Sequence, residues 1–207
     1  MQHNIWKKNH DFAAFRRVVE RERPDVIVMQ ETEPFHHAWF DRLRAEYPYR
    51  AYCDGDRSCG VTMLSRYPLV AGPQVDPEND WVLRAVVSVG TRKLVVLGTY
   101  IATPFPGERQ DWEFGGLTRI MKAQPSNAVL TGDFNSVFWS PNMARYIAAS
   151  GVCSTNPTRA TFPRRLGPAG LPIDHIFFKP GVRLLKVKTV AGTGSDLRAL
   201  LATVSIQ

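Results

Sequence analysis

Apolar residues recur along this chain with two periods, one typical of helices and one typical of strands. The clearest helical period lies between residues 11 and 23, where Phe12, Phe15, Val18 and Val19 recur at steps of three and four residues. Basic and acidic residues occupy the other side of this segment, so we predict an amphipathic helix. Weaker signals predict further helices at residues 35–47, 110–122 and 142–149.

Short apolar runs between these segments predict strands. Residues 26–29, Val-Ile-Val-Met, are apolar without interruption, which indicates a strand buried on both faces. The other predicted strands lie at 49–53, 60–65, 81–89, 93–99, 128–130, 173–178, 182–190 and 199–206, with a short opening strand at 1–6. Hairpin-like pairs mix with strand-helix-strand units, so we predict an α/β sandwich with mixed sheets.

The remaining segments are predicted loops, of which 72–80 and 154–172 are the longest. The length of 207 residues suits a single domain, residues 1–207, with a sizeable core. Because the opening strand is so short, we expect the chain to begin inside a longer strand. We expect the protein to be a monomer.

Charge adds a preference for anionic partners. The formal net charge is +7 and the sequence pI is about 9.6. A basic surface attracts nucleic acid, phosphorylated small molecules or anionic lipid heads, without choosing among them. The sequence contains no apolar run long enough to span a membrane, and its polar start does not resemble a signal peptide. A cytoplasmic location and an extracytoplasmic one, reached through a missing upstream segment, both stay open.

Cysteines and histidines each leave a structural question. Cys53 and Cys59 flank a polar loop and either form a disulfide in an oxidising compartment or stay as free thiols in the cytosol. His36 and His37 begin a predicted helix and are expected at the surface. His175 alternates away from Asp174 along its strand, so we expect it to pack inside the protein.

Polar residues stand just past the ends of several predicted strands. Asp133 and Asn135 follow the run Ala128-Val129-Leu130, separated from it by Thr131 and Gly132. A carboxylate and an amide two residues apart can point into one cleft, and glycine allows a close backbone approach. The other residues in the same position relative to a strand are Asn4, Glu31, Tyr100, Asp174 and Asp196. We expect all of them to meet at one rim of a sheet.

Such a rim would hold four carboxylates, which repel one another unless a cation is bound. Ligands made only of oxygen suit Mg²⁺ or Mn²⁺ rather than Zn²⁺. A hard cation, amide donors and a phenol together favour phosphoryl transfer, in which the cation stabilises charge on the phosphate and a carboxylate activates water.

The order and spacing of these stretches resemble the endonuclease/exonuclease/phosphatase superfamily. The matching stretches are Asn4 and residues 25–31, 65–68, 132–135, 173–176 and 195–196. The resemblance covers nearly the whole chain. It implies a four-layer α/β/β/α sandwich of two mixed sheets flanked by helices. It also implies a metal-dependent phosphoric ester hydrolase that acts on phosphodiesters, nucleic acid among them.

The resemblance implies a role for each matching residue. Glu31 is the principal ligand of Mg²⁺ or Mn²⁺, and Asn4 and Asp196 assist at the metal or the phosphate. Asp133 activates the attacking water, while Asn135 positions that water and contacts the phosphate. Asp174 orients a catalytic histidine that should follow Asp196.

This sequence departs from the family pattern at two positions. Leu197 stands where that histidine is expected, and leucine can neither donate a hydrogen bond nor titrate. Tyr100 stands where histidine is common, although tyrosine occurs there in the abasic-site endonuclease branch. Three explanations of Leu197 stay open: an engineered change, a natural pseudoenzyme, or an enzyme that uses another group.

Substrate-binding residues are predicted in two loops. Arg159, Arg164 and Arg165 are either phosphate-binding or simply solvated, and Trp139 either stacks on substrate or closes over the core. We therefore expect a magnesium-dependent phosphodiesterase or nuclease, impaired by Leu197. The alternatives are a non-catalytic phosphate- or nucleic-acid-binding protein and a phospholipid or sugar-phosphate phosphatase.

Overall fold

Twelve strands in two sheets form the centre of the described part of the molecule. The computed structural model describes residues 1–53, 59–75, 81–104, 107–154 and 159–207. The strands are β1 Gln2–Asn4, β2 Val26–Gln30, β3 Tyr49–Tyr52, β4 Thr62–Ser65, β5 Leu69–Val75, β6 Val82–Val89, β7 Arg92–Tyr100, β8 Ala128–Asp133, β9 Cys153–Ser154, β10 Asp174–Phe178, β11 Val182–Val190 and β12 Ala199–Ile206. The helices are α1 Phe12–Glu22, α2 His37–Arg42, α3 Gly107–Lys122 and α4 Pro141–Ser150.

Each sheet is mixed, as predicted. The first sheet has the order β11-β12-β1-β2-β4-β3, and the second has the order β5-β6-β7-β8-β10-β9. The parallel pairs are β1 with β2 and β7 with β8, and all other neighbours are antiparallel. The connections of the two parallel pairs contain α1 and α3 respectively, because parallel neighbours need a crossover.

Three apolar layers separate four layers of structure. Phe15 of α1 and Phe40 of α2 pack on the outer face of the first sheet. Leu117 of α3 and Tyr146 of α4 pack on the outer face of the second sheet. Between the sheets, residues such as Met63 of β4 meet residues of β6, β7 and β10. The four-layer α/β/β/α sandwich is therefore confirmed.

The first helix keeps its predicted extent, but the second is shorter than predicted. Asp11 caps α1 by accepting from the Ala14 N–H at 2.9 Å. In place of a helix over 35–47, a 3₁₀ turn at Pro34–His36 precedes the short helix α2. His36 is buried in that turn, where its Nδ1 accepts from the Glu33 N–H at 3.0 Å and its Nε2 faces Asn9 O at 3.2 Å. The predicted surface position of His36 is therefore wrong.

The predicted loop at 72–80 is partly a strand. Strand β5 extends to Val75 and pairs with β6 through an irregular register. Pro73 suggested a loop, but β5 is an edge strand, where proline is tolerated because one side needs no ladder hydrogen bonds. The rest of that predicted loop, residues 76–80, lies outside the described residues.

Cys53 and Cys59 form a disulfide with their Cα atoms 5.6 Å apart, while Cys153 is a free, exposed thiol. The bond joins the segments that follow β3 and precede β4. None of the helices in the described ranges is long and apolar enough to cross a membrane.

Candidate active site

The predicted polar residues meet where the two sheets present corresponding strand ends. Asn4 ends β1, and Glu31 directly follows the neighbouring strand β2. In the second sheet Tyr100 pairs with Asp133 across the parallel strands β7 and β8. Asp174 also pairs with Asp133, because β10 runs antiparallel to β8 and begins where β8 ends.

Asn4 connects the carboxylates of the two sheets. Its Nδ2 donates to Glu31 Oε1 and to Asp133 Oδ2, each at 2.9 Å. Its Oδ1 accepts from the Trp6 N–H at 2.9 Å. The side chain was predicted to assist at a metal or a phosphate, but here its amide hydrogens, rather than its oxygen, face the two carboxylates. Asn4 therefore fixes the distance between the sheets at this rim.

Glu31 is held by three donors. Its Oε1 accepts from Tyr100 OH at 3.1 Å as well as from Asn4, and its Oε2 accepts from the Lys7 N–H at 3.1 Å. Its backbone has φ +56°, and Asn135 has φ +45°. Residues other than glycine adopt this left-handed backbone conformation at a cost in free energy. Residues in such conformations cluster at functional sites.

Asp133 is buried at the centre of the rim. Burial raises its pKa to about 7, the charges of Glu31 and Asp196 act in the same direction, and the hydrogen bonds from Asn135 and Asn4 oppose the rise. The Asn135 N–H donates to Asp133 Oδ1 at 2.8 Å. A carboxyl group with this pKa is able to exchange a proton near neutral pH.

Gly132 allows strands β7 and β8 to lie close together beside Asp133. A Cβ atom at Gly132 would collide with the carbonyl oxygen of Thr99 on the neighbouring strand. The glycine in the motif thus serves the close approach of β7 to β8 that aligns Tyr100 with Asp133.

Asn135 is nearby but already bonded. Its Nδ2 donates to Ile101 O at 2.8 Å. The amide hydrogens predicted to contact phosphate therefore partly support the loop after β7.

Asp174 and Asp196 each keep a buried oxygen without a partner among the described residues: Asp174 Oδ2 and Asp196 Oδ1. Gln2 Nε2 donates to Asp174 Oδ1 at 2.5 Å. Burial and the charge of Asp133 raise the pKa of Asp174 well above its ordinary value. Burial and the charge of Glu31 also raise the pKa of Asp196.

The two departures from the family pattern lie in this site. Tyr100 is a hydrogen-bond donor at neutral pH, because burial and the charges of Glu31 and Asp133 raise its pKa. Leu197 is only 4% exposed, and its N–H donates to Ser195 Oγ at 3.0 Å. The same Ser195 hydroxyl donates to Asn4 O at 2.8 Å, so the segment with Leu197 is fixed against β1.

The donor set fits a hard divalent cation in chemistry. Within the described ranges, no three His, Cys, Asp or Glu side chains are already spaced as a metal site. Nevertheless, the acidic side chains offer only oxygen, and Asp174 Oδ2 and Asp196 Oδ1 are buried without a partner among the described residues. Besides burial, the charges of Glu31 and Asp196 also raise the pKa of Asp133, and the charge of Asp133 raises the pKa of Asp174. A cation among Glu31, Asp133 and Asp196 would relieve that repulsion.

The predicted substrate-binding residues differ in placement. The Arg164 N–H donates to Asp196 O at 2.7 Å, which places the Arg164 segment beside the site. Arg164 and Arg165 are exposed and Arg159 is half-buried. Trp139 is 64% exposed, so it does not close over the core.

His175 and Gln2 are buried polar residues beside the site. His175 packs inside as expected, with its Nε2 facing Ser136 O at 2.8 Å, and burial lowers its pKa to about 4. Gln2, whose role the sequence did not indicate, supports Asp174 and also donates to Gln30 Oε1 at 2.9 Å. The available signal was that Gln2 is a polar residue on the predicted opening strand and that Gln30 is a polar residue at the end of a predicted buried strand.

Solved structures share this fold. TDP2 from D. rerio, complexed with a single-strand DNA product, is 16% identical with a TM-score of 0.80 over 99% of this chain and 97% of that chain. Sphingomyelinase C from Streptomyces griseocarneus is 17% identical with a TM-score of 0.66, covering 97% and 93%. A beta toxin from Staphylococcus aureus with bound magnesium ions is 16% identical with a TM-score of 0.67, covering 97% of each chain.

Comparison with curated proteins finds no match. The model of one family, the Endonuclease/Exonuclease/phosphatase family, matches residues 1–196. That range includes Asp196 and the other residues of the rim, which are Asn4, Glu31, Tyr100, Asp133 and Asp174. The chain therefore belongs to the Endonuclease/Exonuclease/phosphatase family.

Proposed function

We propose that this chain is a hydrolase of phosphodiesters that depends on Mg²⁺ or Mn²⁺, and that Leu197 slows its turnover. The observation that carries the proposal is the position of Asn4 Nδ2, 2.9 Å from both Glu31 Oε1 and Asp133 Oδ2. Two carboxylates from different sheets are thereby held together at a rim that also contains Asp174 and Asp196. Such an arrangement lowers the stability of the native state, so we attribute it to a catalytic function.

Each side chain has a distinct part in the proposed reaction. Glu31 and Asp196 would hold the cation, which when bound stabilises charge on the phosphate and acidifies water. Asp133, buried at the centre of the rim, takes the proton of the attacking water. Tyr100 keeps Glu31 in position through its hydroxyl at 3.1 Å.

Leu197 stands at the position from which the family pattern would supply a histidine to the phosphate. Leu197 offers neither a proton nor a donor, and it is buried. This observation favours a second candidate function, the binding of a phosphate ester without turnover. The two candidates share a cation site and differ only in catalysis.

Cation binding is tested by thermal melting with and without Mg²⁺ or Mn²⁺. A ligand at about 100 times its Kd stabilises the native state by about 2.7 kcal/mol. We expect the parent to gain stability and Glu31→Gln to lose that gain, whereas Glu108→Gln, an exposed acid on α3, should behave like the parent. Equal gains in all three proteins would contradict the assigned metal site.

Catalysis is tested with bis-p-nitrophenyl phosphate and saturating metal. Slow turnover that disappears in Asp133→Asn supports the hydrolase. Metal-dependent binding of the ester with no turnover, in the parent and in Asp133→Asn alike, supports the second candidate.

The substrate class is a further proposal. The net charge of +7 and the exposed Arg164 beside Asp196 favour an anionic polymer such as nucleic acid. The similar fold of TDP2, solved with single-strand DNA, supports nucleic acid, whereas that of sphingomyelinase C supports a phospholipid. Assays with DNA, RNA, abasic DNA, phosphoinositides and sphingomyelin separate these classes. Substitution of Arg159, Arg164 and Arg165 by alanine should weaken binding of a nucleic acid and reduce its salt dependence.

A further inference from the structure

Two side chains of α3 hold the segment that follows Tyr100. Glu113 Oε2 accepts from the Ala102 N–H at 2.6 Å, and Gln110 Nε2 donates to Ala102 O at 2.9 Å. Both backbone groups of Ala102 are therefore bonded to one helix. Gln110 and Glu113 are buried, so the loss of either bond would leave a polar group inside the protein without its partner.

Glu113 is an unusual residue for this part of the core. Its side chain is 0% exposed, whereas Arg109, whose Nε lies 2.9 Å from Glu113 Oε1, is 72% exposed. Phe114 and Leu117, its neighbours on α3, belong to the apolar cluster on the outer face of the second sheet. Burying a carboxyl group in such surroundings costs free energy that an apolar residue would not cost. The bond to the Ala102 N–H accounts for an acid at this position.

Gln110 also reaches the loop that follows β8. Its Nε2 lies 3.4 Å from Asn135 O as well as 2.9 Å from Ala102 O. The same two loops are joined a second time, because Asn135 Nδ2 donates to Ile101 O at 2.8 Å. The Ile101 N–H in turn donates to Asp133 O at 2.9 Å. The backbone on either side of the rim is thus tied together through α3.

The conformation of Asn135 depends on these contacts. Its left-handed φ of +45° is a conformation that persists when the surrounding structure holds it. Its side chain also hydrogen-bonds Tyr100, which opposes the rise in the pKa of that phenol caused by burial and by the charges of Glu31 and Asp133. The place of the Asn135 amide therefore affects the phenol beside it.

We propose that Gln110 and Glu113 are positioning residues, which fix the Asn135 amide and the Tyr100 phenol at the rim. Both are buried, so neither would touch the substrate. The inference rests on the proposed function, in which the rim hydrolyses phosphodiesters. A displacement of about 1 Å at a reacting centre can cost about 10²-fold in rate, so the loss of a positioning residue should appear in kcat rather than in KM.

The first test needs no catalysis. In proton–nitrogen NMR spectra of the metal-free parent, we expect the Asn135 Nδ2 hydrogens to exchange slowly with water, because one of them is bonded to Ile101 O. Gln110→Met, which keeps the volume but removes the donor, should speed this exchange by about tenfold or more. Leu117→Ala, which removes buried apolar volume from the same helix, should lower the melting temperature at least as much and leave the exchange slow. Unchanged exchange in Gln110→Met would overturn the proposal, as would equally fast exchange in Leu117→Ala.

The second test measures kcat and KM with bis-p-nitrophenyl phosphate in a Leu197→His background, where the histidine of the family pattern is present. Addition of Gln110→Met should lower kcat by about tenfold or more with little change in KM, whereas Leu117→Ala should change neither. Glu113→Gln keeps an acceptor for the Ala102 N–H and should retain most of kcat, but Glu113→Met lacks one and should lose it. Cooperative thermal unfolding verifies that every variant is folded.

Two results of the second test would overturn the proposal. One is an equal loss of kcat in Glu113→Gln and Glu113→Met, and the other is a kcat in Gln110→Met no lower than that in Leu117→Ala. A lack of turnover in Leu197→His itself would contradict the proposed hydrolase instead. The exchange of the Asn135 amide then decides the positioning role by itself.

Discussion

The Gln2 amide donates to Asp174 Oδ1 at 2.5 Å, across 172 positions of the sequence. This bond engages one oxygen of Asp174 and leaves Oδ2 buried without a described partner. In the family pattern, a histidine after Asp196 is the expected partner of this carboxylate. Leu197 cannot take that place, and its burial keeps the position apolar. Asp174 therefore keeps one buried oxygen that could accept a hydrogen bond from a histidine at position 197.

Leu197→His should restore that group. Loss of one acid or one charge-stabilising donor costs about 10²–10⁴ in rate, so we expect a gain of that order. The measurement is metal-dependent turnover of bis-p-nitrophenyl phosphate at equal metal occupancy. Leu197→Met, a volume-conserving control, should remain as slow as the parent. A fast parent, or a histidine variant no faster than the methionine variant, would show that residue 197 is not the cause.

Asp133→Asn should abolish catalysis and remove a pH-dependent loss of stability from the metal-free protein. The folded pKa of Asp133 is about 7, above the unfolded value of 3.8, so the carboxylate increasingly destabilises the native state as pH rises from about 4 to 7. The advantage of Asp133→Asn over the parent should thus be about 2–3 kcal/mol larger at pH 8 than at pH 5. Urea unfolding in EDTA at both pH values measures it. A pH-independent difference would argue against a buried, perturbed carboxyl group.

His3 should destabilise the protein in acid. Both of its ring nitrogens are buried without a described partner, and burial lowers its pKa to about 3. Because the folded pKa lies below the unfolded value of 6.5, stability is lost as pH falls below about 6.5. Relative to His3→Phe, the parent should lose about 2 kcal/mol between pH 7 and pH 5. Denaturant unfolding provides the test, with the exposed His37→Gln as a control that keeps the parent's pH dependence.

Gly132→Ala should destabilise the protein more than its size suggests. The added Cβ collides with Thr99 O, a backbone atom that cannot move without separating β7 from β8. We expect a loss of about 1–3 kcal/mol in the free energy of unfolding and reduced cation affinity. Gly115→Ala on α3 meets nothing within 4 Å and should instead stabilise the helix by about 1 kcal/mol. Similar melting temperatures for both variants would contradict the close approach.

The convergence of the site residues was predictable because strand ends fix position. Glu31 and Asp133 were each assigned to the end of a buried strand, but the two strands belong to different sheets, and it is the packing of these sheets that brings the two carboxylates together. The hydrogen bonds within that rim were not predictable, since the sequence does not show which way an amide such as Asn4 faces. The left-handed backbone conformations of Glu31 and Asn135 were not predictable either, because neither position is occupied by glycine. His36 was misplaced because its burial depends on Asn9, which is far away in sequence.

Strand β1 lies between β2 and β12, and Asp196 lies three residues before the start of β12. The order of synthesis therefore matters for this protein. When the first half of the chain leaves the ribosome, Asn4 and Glu31 can already be neighbours, but one edge of β1 has no partner. That edge is covered only after residues near 200 emerge, and long-range pairing of this kind slows folding. During translation, the nascent chain carries an unfinished sheet, and Asp196 is the last residue to join the acidic rim.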